Sequence, residues 1–281
     1  MVLNLDTGFK PYPHQQEIEF DFFIFSGGEP HIKITSNLSS VKEVNINHRI
    51  QSFNDLGLLF LAVNALKNMG IEKMNLFLPY FPGARQDRLM VEGEALSVKV
   101  YAALLNSQNF NTVKIYDPHS EVTPALLNNC KVIDNHKFIE QITKELSNDL
   151  LLISPDGGAL KKIYKVASYL KSYAVVECSK SRDVKTGKLH GFKVYSDDLK
   201  GKDCLIVDDI CDGGGTFLGL AKELKAKNAG KLYLAVSHGI FSKGFDSLEK
   251  YFDRIYTTDS FKTINGETRV TQIKLSNGLL S

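Results

Sequence analysis

CLIVDDICDGGGTF, residues Cys204–Phe217, is the stretch whose reading decides the fold. An apolar, β-rich run passes straight into Asp208 and Asp209. Asp212 and the glycines Gly213, Gly214 and Gly215 follow, and Thr216 lies at the start of a segment with helical spacing, Gly215–Asn228. The pattern is strand, tight loop, helix. Glycine adopts positive φ at no steric cost and lets backbone N–H groups approach a ligand. A loop of such groups leading into a helix N-terminus is an anion site. Adjacent carboxylates offer paired acceptors to the hydroxyls of a ribose. A glycine triplet alone reads equally well as an ordinary turn; the acidic pair before it and the threonine behind it point to a sugar phosphate.

Outward from this segment the chain alternates short β-rich runs with longer amphipathic ones. Strands are expected at Phe20–Phe25, His31–Thr35, Lys73–Leu78, Thr112–Tyr116, Leu150–Ser154, Tyr173–Glu177, Asp203–Val207, Lys231–Ser237 and Asp253–Thr257. Helices are expected at Phe53–Met69, Leu96–Gln108, Ala159–Lys171 and Gly215–Asn228. Such alternation predicts an α/β fold of two similar doubly wound, mainly parallel-sheet domains, residues 1–147 and 148–281. Ligands of open α/β sheets sit beyond the carboxyl ends of strands. The loops Pro79–Arg88, Asp117–Ser120, Ser154–Gly158 and Asp208–Thr216 therefore carry the argument.

Composition excludes several classes. The 281 residues are 43% hydrophobic and 23% charged, with a formal charge of +2; no bulk electrostatic pull toward nucleic acid or a membrane surface follows. Cys130, Cys178, Cys204 and Cys211 form no C-x-x-C pair and read as small buried residues of a reducing compartment. The N-terminus lacks a basic-then-apolar leader pattern, and the apolar run Leu56–Val63 is too short to span a bilayer. A cytoplasmic location is expected. No G-x-x-x-x-G-K-[ST] occurs, which disfavours a P-loop kinase.

Five further segments agree with the glycine loop. LPYFPGARQDR (Leu78–Arg88) places Arg85 and Arg88 on a loop after a strand, and arginine forks suit phosphate oxygens. FSGGE (Phe25–Glu29), YDPHS (Tyr116–Ser120), SPDGGALKK (Ser154–Lys162) and the polar SKSRDVKTGKL (Ser179–Leu189) complete the set. In this order the segments resemble the ribose-phosphate pyrophosphokinases, from about Phe20 to the C-terminus, and the glycine loop also resembles that of type I phosphoribosyltransferases. The resemblance implies the type I phosphoribosyltransferase fold in both domains. It implies ATP contacts at Phe25, Glu29, Arg85, Gln86 and Arg88. Asp208 and Asp209 would hold the ribose hydroxyls, and Asp212, Gly213, Gly214, Gly215 and Thr216 the 5-phosphate. Lys180 and Arg182 would be the catalytic cations of a mobile flap, and His119 and Asp156 magnesium ligands. By its chemistry alone a histidine is an unusual partner for so hard a cation. The implied reaction moves the β,γ-diphosphate of Mg-ATP to the C1 hydroxyl of ribose 5-phosphate. A homo-oligomer, dimeric or higher, is implied as well, with neither nucleic acid nor membrane as partner.

The chain also departs from that pattern. Gly27 stands where the family has aspartate, Ser181 where the flap has a second arginine, and Gly213 where the loop usually has threonine. MVEGEAL (Met90–Leu96) replaces a segment tied to the family's oligomer and its regulation by phosphate and ADP. A loop without the threonine suggests a second acceptor, ADP-ribose, whose 1-diphosphate would serve NAD resynthesis. A phosphoribosyltransferase and a catalytically silent homologue of the pyrophosphokinases stay open as further readings.

Overall fold

The computed structural model describes residues 1–147, 149–171, 173–182 and 189–280, without the side chains of 181, 182, 189 and 190. The chain forms two compact units, Met1–Asp134 and Asn135–Leu279. The division thus precedes a helix, α4 (His136–Lys144), rather than falling at 147/148. That helix buries Phe138, Ile139 and Ile142, and its His136 ring stacks on Tyr169, so its apolar face belongs to the second unit.

The first unit contains β1 (Val2–Asn4), β2 (Phe20–Ile24), β3 (Pro30–Ile34), β4 (Glu43–Asn47), α1 (Phe53–Asn68), β5 (Lys73–Leu78), α2 (Ser97–Asn106), β6 (Thr112–Tyr116), α3 (Val122–Leu126) and β7 (Cys130–Ile133). Its sheet is parallel, in the order β1-β4-β5-β6-β7, and β2 and β3 form a separate antiparallel hairpin. Ser52 starts α1 with a capping box, its hydroxyl accepting from the Asp55 N–H while the Asp55 carboxylate accepts from the Ser52 N–H. Gly70, at φ +83°, follows its end.

The second unit adds β8 (Leu151–Ser154), α5 (Leu160–Leu170), β9 (Ala174–Arg182), β10 (Leu189–Val194), β11 (Cys204–Cys211), α6 (Gly215–Ala226), β12 (Leu232–Gly239), β13 (Arg254–Thr258) and β14 (Val270–Ile273). The sheet order is β10-β9-β8-β11-β12-β13-β14, parallel except for the β9–β10 pair. From β8 the chain winds outward to β9, and from β11 it winds the other way to β12 and β13. The order therefore reverses between β8 and β11, and a crevice opens at such a point beyond the strand ends. β8 pairs with β11 only as far as Ile153↔Ile206, whereas β12 follows β11 to Gly239↔Cys211. The last residues of β11 are thus paired on one flank and unpaired with β8 on the other.

Several strands run longer than the apolar pattern predicts. β9 continues past Glu177 to Arg182, β11 past Val207 to Cys211 and β12 past Ser237 to Gly239. Asp208 and Asp209 accordingly lie on the strand, not in the loop after it. An apolar run ends where side chains leave the core, but parallel backbone pairing does not depend on side-chain polarity. All of β12 is buried, as expected for a strand covered on both faces. Cys178, Cys204 and Cys211 are buried and unbridged; burial pushes the thiols of Cys178 and Cys204 up to about 12. Among the described residues no helix is long and apolar enough to cross a membrane.

Gly239 ends β12 where no side chain fits. A Cβ there would run into the Phe241 ring and stand 2.7 Å from Thr257 Oγ1. Gly239→Ala is expected to cost about 1–3 kcal/mol by overpacking, read as a lower urea midpoint with an unchanged slope.

Candidate active site

In the second unit the candidate residues gather around the carboxyl ends of β8 and β11. Asp208 and Asp209 sit side by side on β11, the Asp209 N–H donating to Asp208 Oδ1 at 2.9 Å. Asp209 is buried and Asp208 half-buried. Burial, then the charge of and hydrogen bond to Asp209, then the charge of Asp156, hold the Asp208 carboxyl well above the usual carboxylate range. Ionising Asp208 is thus costly, and a cation or hydroxyl donor beside it would lower that cost.

The loop after β11 is Asp212–Gly214. Gly214 caps α6 at φ +75°, a left-handed conformation, and a Cβ on it would stand 3.1 Å from Leu248 Cδ2, so both backbone and space call for glycine. Gly215, Thr216 and Phe217 form the first turn of α6, whose N–H groups have no carbonyl partner within the helix. Backbone and helix end together give an arrangement that suits an anion. Gly213 is different: its φ is not in the left-handed region, and a Cβ on it would make ordinary contact with the Lys243 stem at 3.5 Å.

Asp156 follows β8. Its Oδ1 accepts from the Ala159 N–H at 3.0 Å, which fastens the turn into α5, and its Oδ2 is ion-paired with Lys180. Lys180 lies on β9, and the two side chains are 24% and 20% exposed. The structure therefore joins two residues that the resemblance assigned separate roles, a cation and a metal ligand. Arg182 ends β9, but its side chain lies outside the described residues, as do residues 183–188 of the expected flap.

The first unit holds the remaining candidates. Arg85, Gln86 and Arg88 are exposed on the loop after β5. Asp87 between them was passed over by the motif reading, yet it braces the site. Its carboxylate accepts from Arg88 Nε at 2.8 Å, and the Arg88 and Ser120 hydrogen bonds, with the nearby charges of Arg88 and His119, hold it below the usual carboxylate range. The loop after β5 is so fastened to the Asp117–Ser120 loop after β6, which carries the exposed His119. Phe25 and Glu29 lie at the tip of the β2–β3 hairpin. Phe25 is 52% exposed, its ring edge-on to Phe23 at 4.8 Å, and its N–H donates to the Glu29 carbonyl. Gly27 leaves room for the Glu29 carboxylate, which comes within 2.5 Å of where a Cβ on Gly27 would stand.

The carboxylates of the second unit suit magnesium by their chemistry, as single contacts rather than as a cage. The ion keeps several waters and takes one or two protein carboxylates together with substrate phosphates. Asp156, Asp208 and Asp209 are hard oxygen donors, and the raised Asp208 marks the excess negative charge a divalent cation would neutralise. Among the described residues no group of three or more His, Cys, Asp or Glu forms a cage by itself.

Comparison with known proteins agrees with this geometry. Residues 126–272 match the model of the phosphoribosyl transferase domain, and residues 14–108 that of the N-terminal domain of ribose phosphate pyrophosphokinase. The chain is 30% identical over 249 residues to a ribose-phosphate pyrophosphokinase of Thermococcus kodakarensis, covering 88% of this chain and 87% of the relative. It is 32% identical over 212 residues to one of Saccharolobus solfataricus, covering 73% and 72%. Among solved structures, a phosphoribosylpyrophosphate synthetase from Mycobacterium smegmatis superposes with a TM-score of 0.86 over 98% of this chain and 94% of that one; at 20% identity this speaks to the fold.

Asp208 provides a test of the crowded charge. Its folded pKa lies above the ordinary value near 3.9, so the penalty for ionising it is absent below about pH 4 and grows as pH rises through the folded pKa. Asp208→Asn keeps the oxygen that accepts from Asp209 and removes the charge. The expected result is a Tm about 2–4 °C higher at pH 8 in the ligand-free protein, with no gain near pH 4. An unchanged Tm at pH 8 would refute the crowding.

Proposed function

Because the chain belongs to the ribose-phosphate pyrophosphokinase family, we propose that it transfers the β,γ-diphosphate of Mg-ATP to the C1 hydroxyl of ribose 5-phosphate, giving phosphoribosyl diphosphate and AMP. The observation that carries this reading is the convergence in one crevice of the acidic pair, the glycine loop and the Asp156–Lys180 pair, at the point where the sheet order reverses. The match of residues 14–108 supports it over a free-standing phosphoribosyltransferase.

Asp208 and Asp209 accept hydrogen bonds from the ribose hydroxyls and so orient C1. The Asp212–Gly214 backbone and the first turn of α6 hold the 5-phosphate. The C1 oxygen attacks the β-phosphorus, the bond from that phosphorus to the oxygen bridging to the α-phosphate breaks with its electrons going to AMP, and the hydroxyl proton is released. Magnesium would neutralise charge on the ATP phosphates; Asp156 in the second unit and, separately, His119 in the first are proposed contacts for it. Lys180 and Arg182 stabilise charge on the transferring diphosphate, for which Lys180 exchanges its carboxylate partner for phosphate oxygens. Such chemistry needs mainly alignment and charge stabilisation. Arg85, Gln86 and Arg88, braced by Asp87, hold the nucleotide phosphates, and Phe25 and Glu29 its base. The exposed aromatic hairpin, with Phe22, Phe23 and Phe25 all near half exposed, supports a homo-oligomer.

ADP-ribose enters as an alternative acceptor through the missing side chain at Gly213. That side of the loop faces the Lys243 stem, which favours ribose 5-phosphate.

AMP release from Mg-ATP, with ribose 5-phosphate and ADP-ribose supplied separately, tests the reading; release with neither acceptor would sink it. Lys180→Ala is expected to lower turnover about 10²–10³-fold, the loss typical of one preorganised charge-stabilising donor. Circular dichroism and Tm would report that the fold persists. Near-normal turnover would remove Lys180 from the chemistry.

A further inference from the structure

We propose that Lys243 is the cationic arm of the acceptor-phosphate site, its ammonium binding the phosphate carried on the ribose in place of the hydroxyl that Gly213 lacks. The inference rests on reading Asp212–Thr216 as the phosphate loop, and it adds to that loop a residue from another segment.

Lys243 lies on the loop after β12, and this loop is tied back onto the phosphate loop. The N–H groups of Ile240 and Phe241 both donate to the Cys211 carbonyl, at 2.9 and 3.0 Å. The Ser242 N–H donates to the Asp212 carbonyl at 3.2 Å, and the Ser242 hydroxyl to Asp212 Oδ1 at 2.6 Å. Phe241 is buried at φ +46° and packs on Phe245 at 4.6 Å. The backbone just before Lys243 is thus anchored on the residues that open the phosphate loop.

The side chain completes the case. Cδ and Cε of Lys243 both lie 3.5 Å from where a Cβ on Gly213 would stand. Among the described residues its ammonium has neither hydrogen bond nor ion pair, and the residue is exposed. An ammonium left unpaired beside an anion-binding backbone is a phosphate ligand in waiting, since lysine binds phosphate as a point charge.

Gly213 and Lys243 are a matched pair. The backbone at 213 does not require glycine, so sterics around it decide the residue. Alanine would touch the lysine stem at ordinary distance, but a β-branched residue carries further atoms into the same space. Threonine at 213 and the present course of Lys243 therefore compete. Where threonine would give one neutral donor, this chain gives a longer, flexible cation. The ligand class is a ribosyl 5-phosphate ester, whether the phosphate is terminal, as in ribose 5-phosphate, or part of a diphosphate, as in ADP-ribose.

The test is steady-state kinetics of Lys243→Ala and Lys243→Arg in the full chain, with each acceptor in turn. Lys243→Ala is expected to raise the acceptor KM about tenfold or more, the scale of one lost charge-assisted hydrogen bond, with kcat and the ATP KM within about twofold. Lys243→Arg should restore most of the loss, and Tm should not move. Gly213→Thr should also raise the acceptor KM, but by much less once Lys243 is alanine, because the two share one space. The acceptor whose KM responds identifies the phosphate source. An unchanged KM for both acceptors would overturn the proposal. If the wild-type chain releases no AMP, the functional reading fails, and calorimetric binding of ribose 5-phosphate and ADP-ribose decides separately. Binding by wild type that is weakened in Lys243→Ala keeps Lys243 as the phosphate arm; equal binding, or none by either protein, removes it.

Discussion

Parallel pairing of β11 between β8 and β12 is the constraint on which the second unit depends. Three residues of backbone match join β11 to β8, and β12 follows it further, so the acidic end of β11 is fixed from one flank and open on the other. A carboxylate on a loop would move to escape its neighbours. Held on a paired strand, Asp208 cannot; burial first, and then its acidic neighbours, raise its pKa. Fixing the acidic end of β11 in this way costs local electrostatic stability, a cost that bound cations or hydroxyl donors would reduce.

The first unit solves a similar problem with side chains. Its nucleotide-loop candidates are exposed, and exposed arginines are conformationally free. Asp87 reduces that freedom by bonding Arg88 and Ser120, joining loops that follow adjacent strands of one sheet. It resembles a surface acid in the sequence, and only the tertiary position of Ser120 gives it meaning.

Much of this was legible in the residues, for a physical reason. The alternation of apolar runs and amphipathic stretches reports burial, and burial dictated α/β layering in both units. The glycine loop was legible because Gly214 needs positive φ and an uncrowded Cα. What escaped notice had weak local signals. β1, β4 and β7 are short, at three to five residues, and α4 follows a turn without a side-chain cap. The carboxyl ends of β9, β11 and β12 are polar and read as loop. The apolar pattern of β12 stops at Ser237, and nothing in the residues beyond it marks Lys243 as a neighbour of Gly213. The Asp156–Lys180 pair was beyond reach because it joins the turn after β8 to the neighbouring strand β9, a contact that no spacing along the chain encodes.

If Asp156 is a metal contact, that pair would make the arrival of the ion and the release of Lys180 a single exchange. One carboxylate oxygen of Asp156 is committed to the turn into α5, and the other to Lys180. A divalent ion that took the second oxygen would displace the Lys180 ammonium from it. In the ligand-free chain the two charges offset each other while both side chains stay partly exposed. Were Asp156 to hold an ion and Lys180 a phosphate, the two affinities would be thermodynamically linked, each favouring the other through the bond both must break.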